Sequence, residues 1–236
     1  MFVGGNSRAT TIRRNPQFVL CTAGTTGLPF SGAHGATTNN GTINLLGSTS
    51  DLDIEASLTN KAGHSMVIAA GTATVTGALD NAGLLEATDG GMITLQGAAL
   101  GGGQFEADNG TIFAQGAVSG QATAGIANAG QIEFGSSADS HVVFGIGSGG
   151  LLLDATSGFS GDVAGFGTGD FLQFNDILAA GATVGYTANL PDTGGMLTIT
   201  DASHHAFNLN IVGSGYTSAN FASSTDPSNH LVVQYA

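Results

Sequence analysis

Between Gly77 and Gly135 the chain repeats one short plan, and nothing else in it constrains the fold as strongly. NAGLLEATDGGMITLQG from Asn81, GGGQFEADNGTIFAQG from Gly101 and NAGQIEFGSSADSHVVFG from Asn128 each open on small residues and continue as an alternating apolar run. In each, a glutamate stands three positions after a glycine: Glu86 after Gly83, Glu106 after Gly103 and Glu133 after Gly130. A weaker copy from Asn60, NKAGHSMVIAAGTATVTG, keeps Gly63 but has Met66 in the glutamate's place. Steps of about 20 residues, with one longer interval, match a single short supersecondary unit stacked on copies of itself, which is a solenoid.

The pieces inside the repeat read as strands. TINLL, DLDIEASL, SMVIAA, TATVTG, MITLQG, TIFAQG and HVVFGI are short, rich in Ile, Val, Thr and Phe, and bounded by Gly or Asn. A 3.6-residue apolar period is sustained nowhere, so helix is not expected. Consecutive strands could pair as antiparallel hairpins, but units repeating at one step stack each strand on its copy and give parallel sheets. In that register Leu85, Phe105 and Ile132 form one inward ladder, and the glutamates that follow them point outward. The expected organisation is an extended N-terminal arm over 1–41, β-solenoid repeats over 42–147, and a C-terminal β domain or cap over 148–236. Within the last part, MLTIT and AFNLNIV flank DASHH as a hairpin with five connecting residues. A cap covers the open edge of the last coil.

Charge narrows the function classes. The chain has 4 Lys and Arg against 17 Asp and Glu, a net charge of −13. The basic residues are Arg8, Arg13, Arg14 and Lys61, so the body after Lys61 has nothing to neutralise a phosphate backbone. Nucleic-acid binding and docking on an anionic membrane are therefore not expected. No apolar run approaches the ~20 residues of a membrane-spanning helix, so membrane insertion is not expected either. The single cysteine, Cys21, allows no internal disulfide. The stretch Arg13, Arg14, FVLCTAG is a poor match to a secretory signal.

The chain resembles the large secreted β-strand-repeat proteins of Gram-negative bacteria, including autotransporter passenger regions and filamentous-haemagglutinin-like adhesins. NAG, ATDGGMITLQG and ADNGTIFAQG within 77–116 carry most of the likeness. FSGDVAGFGTGDFLQF at 159–174, GGMLTITDASHHAFNLNIVG at 194–213 and YTSANF at 216–221 are similar to the unit that closes many such proteins. The resemblance covers roughly 42–236 and implies a right-handed parallel β-helix, export, and a surface or structural role. The chain is shorter than most members and leaves no length for an outer-membrane barrel. Type I export, read from the C-terminus, suits its Lys- and Arg-free tail.

Candidate chemistry is sparse. Asp51, Asp53 and Glu55 alternate along one strand and share a face, which makes them calcium candidates. GFGTGDFLQ at 165–173 approaches the calcium-binding nonapeptide GGxGxDxUx, with Asp170 at the aspartate but Phe166 and Thr168 in place of glycines. Calcium is thus the cofactor suggested, and no other is. His204 and His205 are adjacent and would face opposite ways in a strand, while His34, His64, His141 and His230 are dispersed, so no zinc site is expected. A polysaccharide lyase needs basic residues that the body lacks, and a hydrolase needs paired carboxylates, of which no cluster stands out. Spacing alone leaves a Ser-His-Asp triad open, although no GxSxG elbow is present. TATVT places Thr72, Thr74 and Thr76 on one face, but one copy makes no ladder. The expectation is a non-enzymatic, exported structural protein that self-assembles as a coat, biofilm-matrix filament or adhesive stalk at the cell surface. Its partners would be copies of itself, with a surface glycan as a further candidate. The alternative is a glycan-binding or glycan-cleaving β-helix module, which would favour exposed Trp and Tyr; Trp is absent, and Tyr186, Tyr216 and Tyr235 all lie near the C-terminus.

Overall fold

The alternation and the glycine punctuation produce a coil with three sides. The computed structural model describes residues 29–30, 36–48, 50–190 and 192–236, which wind as a parallel β-solenoid of about seven turns. One coil runs through Leu84–Thr88, Met92–Leu95 and Ala99–Leu100 before the next starts at Gln104–Asp108. Each side lies in register on its copy: Leu84–Thr88 on Gln104–Asp108, Met92–Leu95 on Thr111–Ala114, and Ala99–Leu100 on Val118–Ser119. Among the described residues these ladders build two ten-stranded sheets and one five-stranded sheet. The first long sheet holds Leu84–Thr88, the second holds Met92–Leu95, and the short sheet holds Ala99–Leu100.

Like sits on like inside. Met66, Leu85, Phe105, Ala124 and Val142 form one buried ladder of the first long sheet, and Ala73, Ile93, Ile112, Ile132 and Leu151 form one of the second. The corners are closed by backbone. At Gly91, Gly110 and Gly130, where the first long sheet turns into the second, a Cβ would collide with the carbonyl oxygens of Ile68, Ala87 and Ala107 in the coil below. A column of glycines is therefore a packing requirement at this corner.

At the corner leaving the short sheet, Asn39, Asn60 and Asn81 stack as buried carboxamides. Asn39 Nδ2 donates to Asn60 Oδ1 and Asn60 Nδ2 to Asn81 Oδ1, each at 2.8 Å. Their Nδ2 atoms also donate to the carbonyls of Ser65, Leu84 and Gln104 at 2.9, 3.0 and 3.1 Å. Burying these amides costs little because both ends are hydrogen-bonded. The stack stops at Gly101, where φ is +103° and a Cβ would collide with Asn81 backbone.

The third repeat unit falls on a different side from the one its sequence suggests. Leu85 pairs with Phe105 and Glu86 with Glu106, but the next rungs of those ladders are Ala124 and Gly125. Ile132 and Glu133 belong to the second long sheet, where they follow Ile112 and Phe113. Asn128 and Ala129 both adopt left-handed backbone, with φ of 51° and 67°, and turn the chain into that sheet. The motif misleads because both corners use a small-residue turn ahead of an alternating strand. The weaker copy is offset by one: Val67 takes the glutamate position and Met66 is core.

Pro29–Phe30 and Thr37–Asn39, from the expected arm, pair in parallel with Asp51–Ile54 and Leu58–Asn60; the rest of 1–35 lies outside the described residues, Arg8, Arg13, Arg14, Cys21 and His34 included. Coiling continues past residue 148 through Gly149–Leu153, Asp162–Ala164 and Phe171–Leu178. Antiparallel pairing starts at Thr183–Ala188, whose meander with Gly194–Thr200 and Ala206–Val212 ends parallel to Asp162–Ala164. Residues 201–205, DASHH, form the expected hairpin link. Phe221–Thr225 and His230–Tyr235 finish the second long sheet against Phe171–Leu178. Phe166 stacks on Phe221 with centroids 5.9 Å apart, and Tyr186 lies 4.9 Å from the same ring, so aromatic packing fills the cap.

Candidate functional site

With the inner face sealed, chemistry is confined to the outer faces and the cap. Asp51 and Asp53 point outward from Asp51–Ile54 between buried Leu52 and Ile54, and Glu55 follows on the same face. Thr72 Oγ1 donates to Asp51 Oδ1 at 2.8 Å, while Asp53 Oδ1 is enclosed without a hydrogen-bond partner. Asp170 is elsewhere. It precedes Phe171–Leu178, six strands along the same sheet, which at ~4.8 Å per strand is about 29 Å away. Its carboxylate accepts the Gly167 N–H at 2.8 Å, and burial pushes its pKa up against the hydrogen bonds from Gly167 and Gly149. Within GFGTGDFLQ, Phe166 enters the cap core and Asp170 fastens the turn. The calcium candidates thus divide into two separate features, and among the described residues no three His, Cys, Asp or Glu side chains are grouped to hold a metal ion.

Carboxyl groups meet at two other places. Glu86 and Glu106 occupy adjacent rungs of the first long sheet. Burial, then repulsion from Glu106, Asp108 and Asp89, holds the Glu86 carboxyl above its ordinary range. On the second long sheet Glu133 lies between the rungs of Phe113 and Leu152. Burial, the charge of Asp154 and a hydrogen bond with Asp154 push its pKa up to about 7. The Glu133 carboxyl therefore titrates near neutrality. A polar chain extends from them: Asn175 Nδ2 donates to Asp154 Oδ1 at 2.6 Å, and Gln173 Nε2 to Asn175 Oδ1 at 2.7 Å and Asp226 Oδ2 at 3.2 Å. It ends at His230 Nδ1, 3.0 Å from Asp226 Oδ2.

The outer face of the first long sheet carries a shallow groove of about 240 Å³, lined in part by Gln104, Glu106, Thr123, Gly125 and Val143. Gly125 makes the notch, since the rungs on either side bear Glu106 and Val143. A Cβ there would meet nothing nearer than Glu106 at 3.7 Å, so packing does not require this glycine. Gln104 and Thr123 line the groove, and His141 and Asp162 continue their column on the next two rungs. His141 Nδ1 is hydrogen-bonded to Asp162 Oδ1, with the two side chains 44% and 34% exposed. In sequence these residues are unremarkable; only counting in coil lengths brings them together.

The remaining candidates are structural. Asp201 accepts the Ser203 and His205 N–H groups at 2.8 and 2.9 Å, and the His205 backbone bond is the main reason its carboxyl lies below the ordinary range. His205 Nδ1 is 3.3 Å from Asp201, and His204 has a left-handed φ of 66°, so the pair completes a turn. Tyr186 is buried, and Tyr216 and Tyr235 pack against it or against Phe166 and Phe221, which leaves them within the cap. Thr72 of TATVT faces Met92 on the next coil, and Thr74 faces Thr94 but then Phe113, so the threonine row does not extend along the sheet. No helix among the described residues is long and apolar enough to cross a membrane. Compared with known proteins, the chain matches no family model and no curated sequence.

Proposed function

We propose that this chain is an exported structural protein of the cell surface, a coat, matrix-filament or stalk component that assembles through copies of itself. The observation that carries the reading is how the long sheets finish. Thr183–Ala188 and Phe221–Thr225 are the outermost strands of the first and second long sheets at the capped end; Ser218 Oγ donates to the Tyr186 carbonyl of the former at 3.0 Å, while Phe221–Thr225 pairs with a strand on one flank only among the described residues. An unpaired strand flank is a template for another chain, and sheets of ten strands offer it on a long, regular scaffold. The acidic body keeps single molecules apart until that edge pairing forms. The resemblance to secreted strand-repeat proteins supports export and a surface location.

Light scattering combined with negative-stain imaging of the full chain, with and without excess chelator, tests the reading. Ordered filaments or sheets are expected. Dissolution by chelator would show that a divalent cation links the copies. A monodisperse monomer at all concentrations would refute self-assembly.

A further inference from the structure

We propose that Gln104, Thr123, His141 and Asp162 form a hydrolytic site for small neutral esters on the outer face of the first long sheet, an activity additional to any scaffold role. The four side chains occupy one outward column on consecutive coils, in the order carboxamide, hydroxyl, imidazole, carboxylate. Adjacent rungs lie ~4.8 Å apart, which places each group beside the next. That order is the one acyl transfer needs: an oxyanion donor, a nucleophile, a general base and a group that orients the base.

The base and its orienter are already engaged. Asp162 Oδ1 binds His141 Nδ1, which sets the tautomer and leaves Nε2 to take a proton. The Thr123 hydroxyl is on the neighbouring rung, and its hydrogen bond to the imidazole is not made in this resting arrangement. Such bonds commonly tighten only with substrate present. Backbone amides at the site are spent in the coil: Thr123 N–H donates to the Gly103 carbonyl at 3.1 Å and His141 N–H to the Ala122 carbonyl at 2.9 Å. Oxyanion stabilisation therefore falls to the exposed Gln104 carboxamide on the other side of Thr123. The groove beside this column, with its notch at Gly125, takes the acyl group. Its small volume selects short chains, and Glu106 on its wall disfavours anionic ones.

In the reaction Thr123 Oγ1 bonds to the ester carbonyl carbon as its proton passes to His141 Nε2, and Gln104 Nε2–H donates to the oxyanion. Collapse breaks the C–O bond to the alcohol, which leaves with the proton from His141. Water then attacks the acyl-threonine, giving its proton to His141. Cleavage returns that proton to Thr123 Oγ1 and releases the acid.

The test uses the full chain with p-nitrophenyl acetate and butyrate, following kcat/KM against pH and mapping any acetyl adduct by peptide mass spectrometry. Thr123→Val and His141→Gln are expected to lower kcat/KM about 100-fold or more, and Asp162→Asn at least ~10-fold. Thr123→Ser should retain activity, His230→Gln should match the unmodified protein, and the adduct should map to Thr123. Melting temperatures of all variants separate loss of the site from loss of the fold. Turnover no faster than in His141→Gln, full activity in a folded Thr123→Val, or an adduct only at another residue would each overturn the proposal.

Discussion

Replacing Glu133 by glutamine should make the protein more stable at pH 8 and only about a quarter as much so at pH 5, just above the unfolded pKa. With its pKa at about 7 against an ordinary 4.5, the folded state holds the Glu133 proton more tightly than the unfolded chain does. Stability therefore falls as pH rises from about 4.5 to about 7 and is level above, because ionising Glu133 beside Asp154 costs free energy that the unfolded chain does not lose. The full linkage value is roughly 3.4 kcal/mol at 1.36 kcal/mol per pH unit. Solvent screening of this partly exposed group reduces it to about 1–2 kcal/mol. Glutamine keeps a donor toward Asp154 and never ionises, so Glu133→Gln should recover that amount. For a chain of this size the gain is about 2–8 °C in melting temperature. Thermal unfolding followed by circular dichroism at pH 5 and pH 8, in both proteins, measures it. An equal difference between the proteins at the two pH values would refute the argument, since a packing effect does not depend on protonation.

Asn60→Ala should lower stability by about 2–4 kcal/mol, because it removes one of the two bonds of the Asn39 amide, leaves the Asn81 carboxamide oxygen without its donor and takes the Asn60 amide from the Leu84 carbonyl; chemical denaturation measures the loss, and a change under 1 kcal/mol would show the stack to be dispensable. Gly110→Ala should abolish folding or cost at least ~3 kcal/mol, since its Cβ meets the Ala87 carbonyl, while Gly125→Ala should be neutral or stabilising by about 0.5 kcal/mol. Soluble yield and melting temperature of the two variants test that contrast. Phe166→Ala should open the cap core at a cost of about 3–5 kcal/mol, and hydrogen exchange should show the loosening in 166–236 before it reaches Leu84–Thr88.

The side-chain alternation was legible because it has the period of a strand, and the step of about 20 residues marked stacking over hairpins. Leu85 on Phe105 and Glu86 on Glu106 follow from that step directly. Corner identity was not legible. Gly83 and Gly130 look alike in sequence, yet one precedes the first long sheet and the other the second, and the difference lies in the left-handed backbone at Asn128 and Ala129. The acidic positions were visible as residues but not as environments. Asp170 is visible in GFGTGDFLQ but the Gly167 and Gly149 N–H groups that donate to it are not, and Glu133 gains its shifted pKa from burial and from Asp154 one coil away. The column from Gln104 to Asp162 escaped for the same reason: its members are neighbours only after the chain has gone once around.

The backbone-filled corners also decide where this protein can vary. A coil whose turning points admit no Cβ at Gly91, Gly110 and Gly130 cannot host an inserted loop there without lifting one layer off another. Inward rungs are held by the size of their neighbours above and below. Change is left to the outward positions of each side, which alternate with the core and stack into vertical stripes. Substitutions among such chains should accumulate along those stripes, each stripe free to acquire a new row of side chains while the coil beneath it stays the same.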